Sequence, residues 1–198
     1  MSAHPRLPGR IADRLEPGES NWRPGESRVV FDDPYLSLTV DEIVAPDGSR
    51  HSRVVVRPRP AVGVIALDEE GRVLLVEQYR HPMRRRMLEI PAGLMDVEGE
   101  TARQTAEREL AEEADLRARD WSELIGVAPT VGYSTETITL FRACGLSPVP
   151  EAERTVREAE EADLTPWWVD LDEAVRACFD GRIRDAKTVI AILAVARP

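Results

Sequence analysis

Hydrophobic and polar positions follow three rhythms along this chain. Alternation comes first: Leu36, Leu38 and Val40 are separated by polar residues, and Val54-Val55-Val56 adds a β-branched run, so strands are predicted between residues 28 and 57. Pro46-Asp47-Gly48 is a turn between them. Near-continuous apolar runs come next, Val62–Leu67 and Val73–Val76. They are joined by Asp68-Glu69-Glu70-Gly71 and are predicted to pair as a hairpin. The third rhythm is helical. Ala102, Ala106 and Leu110 recur every four residues, and Thr101 with Gln104 forms a capping-box signal, so a helix is predicted over 101–114.

Shorter patterns fill in the rest. Leu88-Glu89-Ile90 reads as a brief strand ending at Pro91-Ala92-Gly93. Further strands are expected near 124–128, 137–143 and 166–169, and helices near 171–179 and 186–196. The charged stretch 151–163 is a solvated loop or helix face, and Arg84-Arg85-Arg86 a solvated basic loop. Trp167 and Trp168 are assigned to the core. Strands and helices mix without a βαβ rhythm, which makes the class α+β, or a mixed sheet flanked by helices. Residues 1–27, rich in Pro, Gly and charge, form an extended arm. With the strands up to residue 57 they make an N-terminal β subdomain, and 58–198 is the main domain.

Composition narrows the function. The 198 residues suffice for a proper core, and the net charge of −10 argues against a nucleic-acid partner. A phosphorylated substrate needs local cations to offset that field. No apolar run approaches the length of a membrane span, and the first residues hold no signal peptide. Cys144 and Cys178 read as reduced residues at or near the core of a cytoplasmic protein. Lys187 is the only lysine.

One feature is energetically odd. Glu109, Glu112 and Glu113 share one side of the predicted helix near its C-terminal end. Like charges at this spacing cost about 0.2–0.5 kcal/mol per pair. Carboxylates in a last turn also oppose the helix dipole by roughly 0.3–1 kcal/mol each. A solvated acidic face is one explanation. The other is a hard divalent cation, Mg²⁺ or Mn²⁺, which takes carboxylate oxygens.

The surrounding residues carry a resemblance. Gly93, Glu100, Arg108-Glu109-Leu110, Glu112-Glu113 and Leu116 stand at spacings that resemble the Nudix box, G-x5-E-x7-R-E-U-x-E-E-x-G-U with U aliphatic. Two departures stand out. One extra residue separates Gly93 from Glu100, and Asp115 replaces the glycine that ends the helix in a left-handed conformation, a region Asp tolerates. Val76–His81, Leu88–Leu94, Gly132–Glu136 and Gly181–Thr188 resemble the subgroup that hydrolyses ADP-ribose and related nucleoside diphosphate sugars, nearest to actinobacterial ADP-ribose pyrophosphatases.

This resemblance implies a Nudix-like α/β/α sandwich and Mg²⁺-dependent hydrolysis of a pyrophosphate bond, giving AMP and ribose 5-phosphate. It implies Glu109 and Glu113 as metal ligands, Glu112 sharing or bridging, and the main-chain carbonyl of Ala92 as a further ligand. Arg108 pairs with Glu100 and orients the carboxylates. Glu136 is the candidate general base, and Arg80 the contact to the substrate's phosphates. It also implies a homodimer built through the N-terminal strands, with Trp22 and Tyr35 in the region of the adenine pocket. Two alternatives stay open: a pyrophosphatase for an oxidised nucleotide or another nucleotide sugar, and a non-catalytic nucleotide-binding module.

Overall fold

A computed structural model of the chain describes residues 2–3, 6–8, 10–157 and 162–196. Parts of the expected arm (residues 1, 4, 5 and 9) and of the charged stretch (158–161) lie outside the described residues.

Short strands β1 (Ser2–Ala3) and β2 (Arg10–Ile11) pair antiparallel. Strands β3 (Arg23–Asp32), β4 (Leu36–Val44) and β5 (Arg50–Pro58) form an antiparallel sheet of their own in that order. The expected turn joins β4 to β5, with Gly48 at φ 86°, where a side chain would be strained.

Strand β6 (Ala61–Ala66), β7 (Arg72–Arg80), β8 (Arg85–Glu89) and β9 (Ala92–Leu94) follow, then helix α1 (Ala102–Ala114). After it come β10 (Leu116–Val127), β11 (Ile138–Pro148), β12 (Thr165–Asp170), α2 (Leu171–Phe179) and α3 (Ala186–Val195). One mixed sheet has the order β10-β11-β6-β9, with β11 and β6 parallel, and a second has the order β12-β7-β8.

The expected hairpin is therefore corrected. β6 and β7 are joined by the tight 68–71 turn, but beyond a single bridge between Leu67 and Val73 each enters a different sheet. The reason lies in their apolar runs. Val62, Val64, Ala66 and Leu74 face α1, whereas Ile65, Leu67, Val73 and Leu75 face α2 and α3. Both strands are thus buried on both faces and central to a three-layer α/β/α sandwich. Ala106 and Leu110 sit fully buried beneath α1, and Ala102 packs beside them, as the four-residue spacing requires.

Two further expectations change. Trp167 and Trp168 are 49% and 42% exposed rather than core, because β12 is an edge strand. Trp167 donates its indole N–H to Glu77 Oε2 at 3.1 Å. The basic run 84–86 is not simply solvated. Arg84 turns the chain at φ 50°, and Arg85 and Arg86 belong to β8. Arg86 bonds Glu77 Oε1 at 3.1 Å and pairs with Asp163. Cys144 and Cys178 are both free thiols. No described helix is long and apolar enough to cross a membrane.

Candidate active site

Helix α1 begins as its sequence dictates. Thr101 Oγ1 accepts from Gln104 N, and the Gln104 side chain accepts from Thr101 N, closing the capping box. The helix ends at Asp115, whose φ of 53° and ψ of 35° are left-handed. In this register Glu109 and Glu113 turn inward, 8% and 5% exposed, with Glu112 half-buried beside them. The extra residue before Glu100 is absorbed in the loop and leaves the helix intact.

Arg108 gathers the acidic groups. Its Nη1 lies 2.7 Å from Glu109 Oε1 and 3.0 Å from Glu112 Oε2, and its Nε lies 3.3 Å from both Glu100 oxygens. Glu100 is fixed in turn by the Thr105 hydroxyl at 3.0 Å. Burial opposes the Arg108 charge, but Glu109, Glu112 and Glu100 outweigh it and raise its pKa. The pairing with Glu100 that the sequence implied is present. The bonds to Glu109 and Glu112 go beyond it.

Strand β9 supplies the floor. Ala92 N–H donates to Glu113 Oε2 at 2.8 Å. A Cβ on Gly93 would stand 2.1 Å from Glu109 Cδ, far inside contact distance. The glycine is therefore needed for close approach. It lets the Glu109 carboxylate lie directly against the backbone.

Glu136 arrives from another element. The 133–135 backbone is stitched to β5: Val56 N donates to Tyr133 O at 2.8 Å and Thr135 N to Val56 O at 3.0 Å. Ser134 Oγ then accepts from Glu136 N at 3.1 Å. The loop is thus held from the N-terminal sheet. A cavity of about 920 Å³ opens between these parts, lined by Glu109, Glu112, Glu113 and Glu136, and by Ala92 and Gly93. Arg80, Arg108, Arg184 and Lys187 supply its positive charge. Of the two aromatics singled out above, Tyr35 lines the cavity, whereas Trp22 leans on the His51 ring at 5.8 Å.

Of the other wall, sequence reasoning named Arg80 but missed Glu89, which holds it, and Lys187, which pairs with Glu89. Glu89, only 3% exposed, accepts from Arg80 Nε and Nη2 at 2.8 and 2.9 Å and from Lys187 Nζ at 2.5 Å. Asp185 caps α3 through Thr188 N at 3.0 Å, and Thr188 Oγ1 accepts from Ile90 N at 2.9 Å. The start of α3 is thereby pinned to the end of β8, which seats the only lysine in the cavity wall. Two signals pointed here: a carboxylate on the buried face of a strand, and a solitary lysine.

Burial alone would raise the Glu89 pKa, but the hydrogen bonds from Arg80 and the charges of Lys187 and Arg80 win and hold it at about 2. A carboxyl depressed in this way stabilises the fold above its ordinary value of 4.5 and loses that contribution as pH falls towards about 2. Acid titration of thermal stability should show a loss across this window. Glu89→Gln should be less stable near neutrality, by roughly 3–5 kcal/mol because two cations lose their partner. Its profile should be flatter across the window, and an unchanged slope would remove Glu89 from the account.

Chemically, the acidic wall offers hard oxygen donors, suited to a divalent cation, and the opposite wall offers guanidinium and ammonium groups suited to phosphate oxygens. Among the described residues no three carboxylate, imidazole or thiolate groups are gathered closely enough to hold a metal ion. The donors line an open wall instead.

Known proteins resemble this chain in sequence and in fold. The chain is 36% identical over 179 residues to an ADP-ribose pyrophosphatase of Mycobacterium tuberculosis, covering 89% of this chain and 84% of that one. It is 39% identical over 163 residues to a methanol dehydrogenase activator of Bacillus methanolicus, covering 82% and 86%. A solved ADP compounds hydrolase shares the fold with a TM-score of 0.77 at 20% identity, covering 91% of this chain and 95% of that one. The NUDIX domain itself matches residues 57–191, which span every cavity carboxylate, Arg108 and Gly93, so the chain belongs to the Nudix family and is a Nudix hydrolase.

Proposed function

We propose that this hydrolase cleaves the pyrophosphate bond of ADP-ribose, or of a closely related nucleoside diphosphate sugar, to give AMP and ribose 5-phosphate. One observation carries the reading: a single cavity brings the α1 carboxylates, Glu136 from a distant loop and Arg80 into reach of one ligand. The similarity to the M. tuberculosis ADP-ribose pyrophosphatase supports the substrate.

Nudix hydrolases act with divalent cations. Mg²⁺ fits an open acidic wall, because it usually keeps several waters and binds through a few carboxylates and the substrate's own phosphates. Mn²⁺ would serve as a substitute. Glu109 and Glu113 would hold the cation, with Glu112 sharing it and the Ala92 carbonyl adding an oxygen. When bound, it neutralises phosphate oxygens and acidifies water. Glu100 holds Arg108, and Arg108 spaces the carboxylates. Arg80, kept rigid by Glu89, would present its guanidinium to the diphosphate, and Tyr35, in the cavity lining, would meet the adenine. A water gives its proton to Glu136, its oxygen bonds to one phosphorus, and the bridging P–O bond breaks. The leaving phosphate takes the electron pair. Residues 1–57 would form the dimerisation subdomain of a cytoplasmic homodimer, with 58–198 as the catalytic domain.

Two measurements test this. Across a panel of nucleotide sugars and oxidised nucleotides, ADP-ribose should be cleaved fastest. Intact ADP-ribose beside rapid cleavage of another compound would move the substrate. Glu136→Gln should lower kcat by about 10²–10⁴-fold, the usual worth of a general base, with Mn²⁺ binding nearly unchanged. Loss of Mn²⁺ binding would make Glu136 a ligand instead.

A further inference from the structure

The box glycine is replaced here by Asp115, and the structure shows what accompanies the change. Asp115 keeps the left-handed conformation, and Arg157 closes over it. Arg157 Nη2 lies 2.8 Å from Asp115 Oδ2, and Arg157 Nε donates to the main-chain oxygen of Glu112 at 2.7 Å. Val149 N donates to Asp115 O at 2.8 Å. Two of the carbonyls left over at the end of α1 are thus satisfied by the segment after β11. A cation also sits where the helix dipole favours one, beside the two glutamates that oppose it. The Arg157 side chain is 22% exposed and lines no part of the cavity given by the carboxylates.

From this geometry we infer that Arg157 is a positioning residue for Glu112 and Glu113. It locks the last turn of α1 through Asp115 and does the work that a glycine cap does by conformational freedom alone. The inference rests on the metal assignment proposed above, and it has a sign that a charge effect does not share. Removing Arg157 deletes a positive charge near the acidic wall, so Coulomb attraction alone would tighten cation binding. If Arg157 instead holds the ligands in place, its loss loosens the last turn and weakens binding.

The test measures Mn²⁺ binding to the full chain without nucleotide by electron paramagnetic resonance, alongside kcat, KM and melting temperature. For Arg157→Ala, Mn²⁺ binding should weaken by about 10-fold, within the 10–100-fold range of residues that orient metal ligands. The constant kcat should fall with KM nearly unchanged. Arg157→Lys, which keeps the charge but not the two-point grip, should fall between wild type and Arg157→Ala. Asp115→Gly should behave like wild type. Combining it with Arg157→Ala should restore most Mn²⁺ binding, because a glycine cap needs no clamp.

Tighter Mn²⁺ binding in Arg157→Ala would overturn the inference in favour of charge. Unchanged Mn²⁺ binding with only a lower melting temperature would reduce Arg157 to a structural residue. Failure of the double variant to recover, with Asp115→Gly intact, would show that Arg157 acts elsewhere. Glu113→Gln serves as the control. If it leaves Mn²⁺ binding intact, the metal assignment fails, and not merely the role of Arg157.

Discussion

Glu113→Gln should lose turnover by more than about 100-fold, beyond the loss typical of residues one contact away from a metal, while its fold remains intact or becomes firmer. The side chain is 5% exposed, in the last turn of α1, and accepts a hydrogen bond from Ala92 N–H at 2.8 Å. Glutamine has nearly the same shape and an amide oxygen able to accept that bond. What it removes is the charge. Relief from the helix dipole is worth roughly 0.3–1 kcal/mol, or somewhat more where burial sharpens it. Loss of activity with unchanged or raised melting temperature is the signature of a residue kept for chemistry. Wild-type turnover in this variant would end the metal assignment at Glu113.

Gly93→Ala should be nearly as damaging, although it adds only a single uncharged methyl group. Its Cβ would lie 2.1, 2.2 and 2.4 Å from the three carboxylate atoms of Glu109. Those atoms cannot stay where they are. Arg108 grips Glu109 at 2.7 Å, so the displacement would pass to Glu112 and Glu100 through the same guanidinium. Misplacement of about 1 Å in a catalytic group can cost roughly 100-fold, and that is the fall expected in kcat. Overpacking should lower stability by about 1–3 kcal/mol. The measurement is kcat and KM with parallel thermal unfolding. A variant with normal kcat would mean that Glu109 works equally well away from the β9 backbone.

Much of this site is legible in the sequence alone. The helix cap at Thr101, the inward face of α1 and the left-handed Asp115 follow from local rules, because capping, periodicity and αL tolerance are properties of a few neighbouring residues. Partners far apart in sequence were harder to read. Lys187 and Glu89 are 98 positions apart and meet only because α3 folds over the end of β8. The same limit explains the misread hairpin. A tight turn between apolar runs looks the same whether the strands pair with each other or are buried in separate sheets. Trp167 and Trp168 misled for a related reason, since ring size says nothing about position at a sheet edge.

The most direct test of the central claim is product analysis with ADP-ribose and Mg²⁺. AMP and ribose 5-phosphate should appear in equal amounts, and neither should form when the metal is chelated. Release of ADP and ribose, or persistence of intact ADP-ribose with Mg²⁺ present, would contradict it.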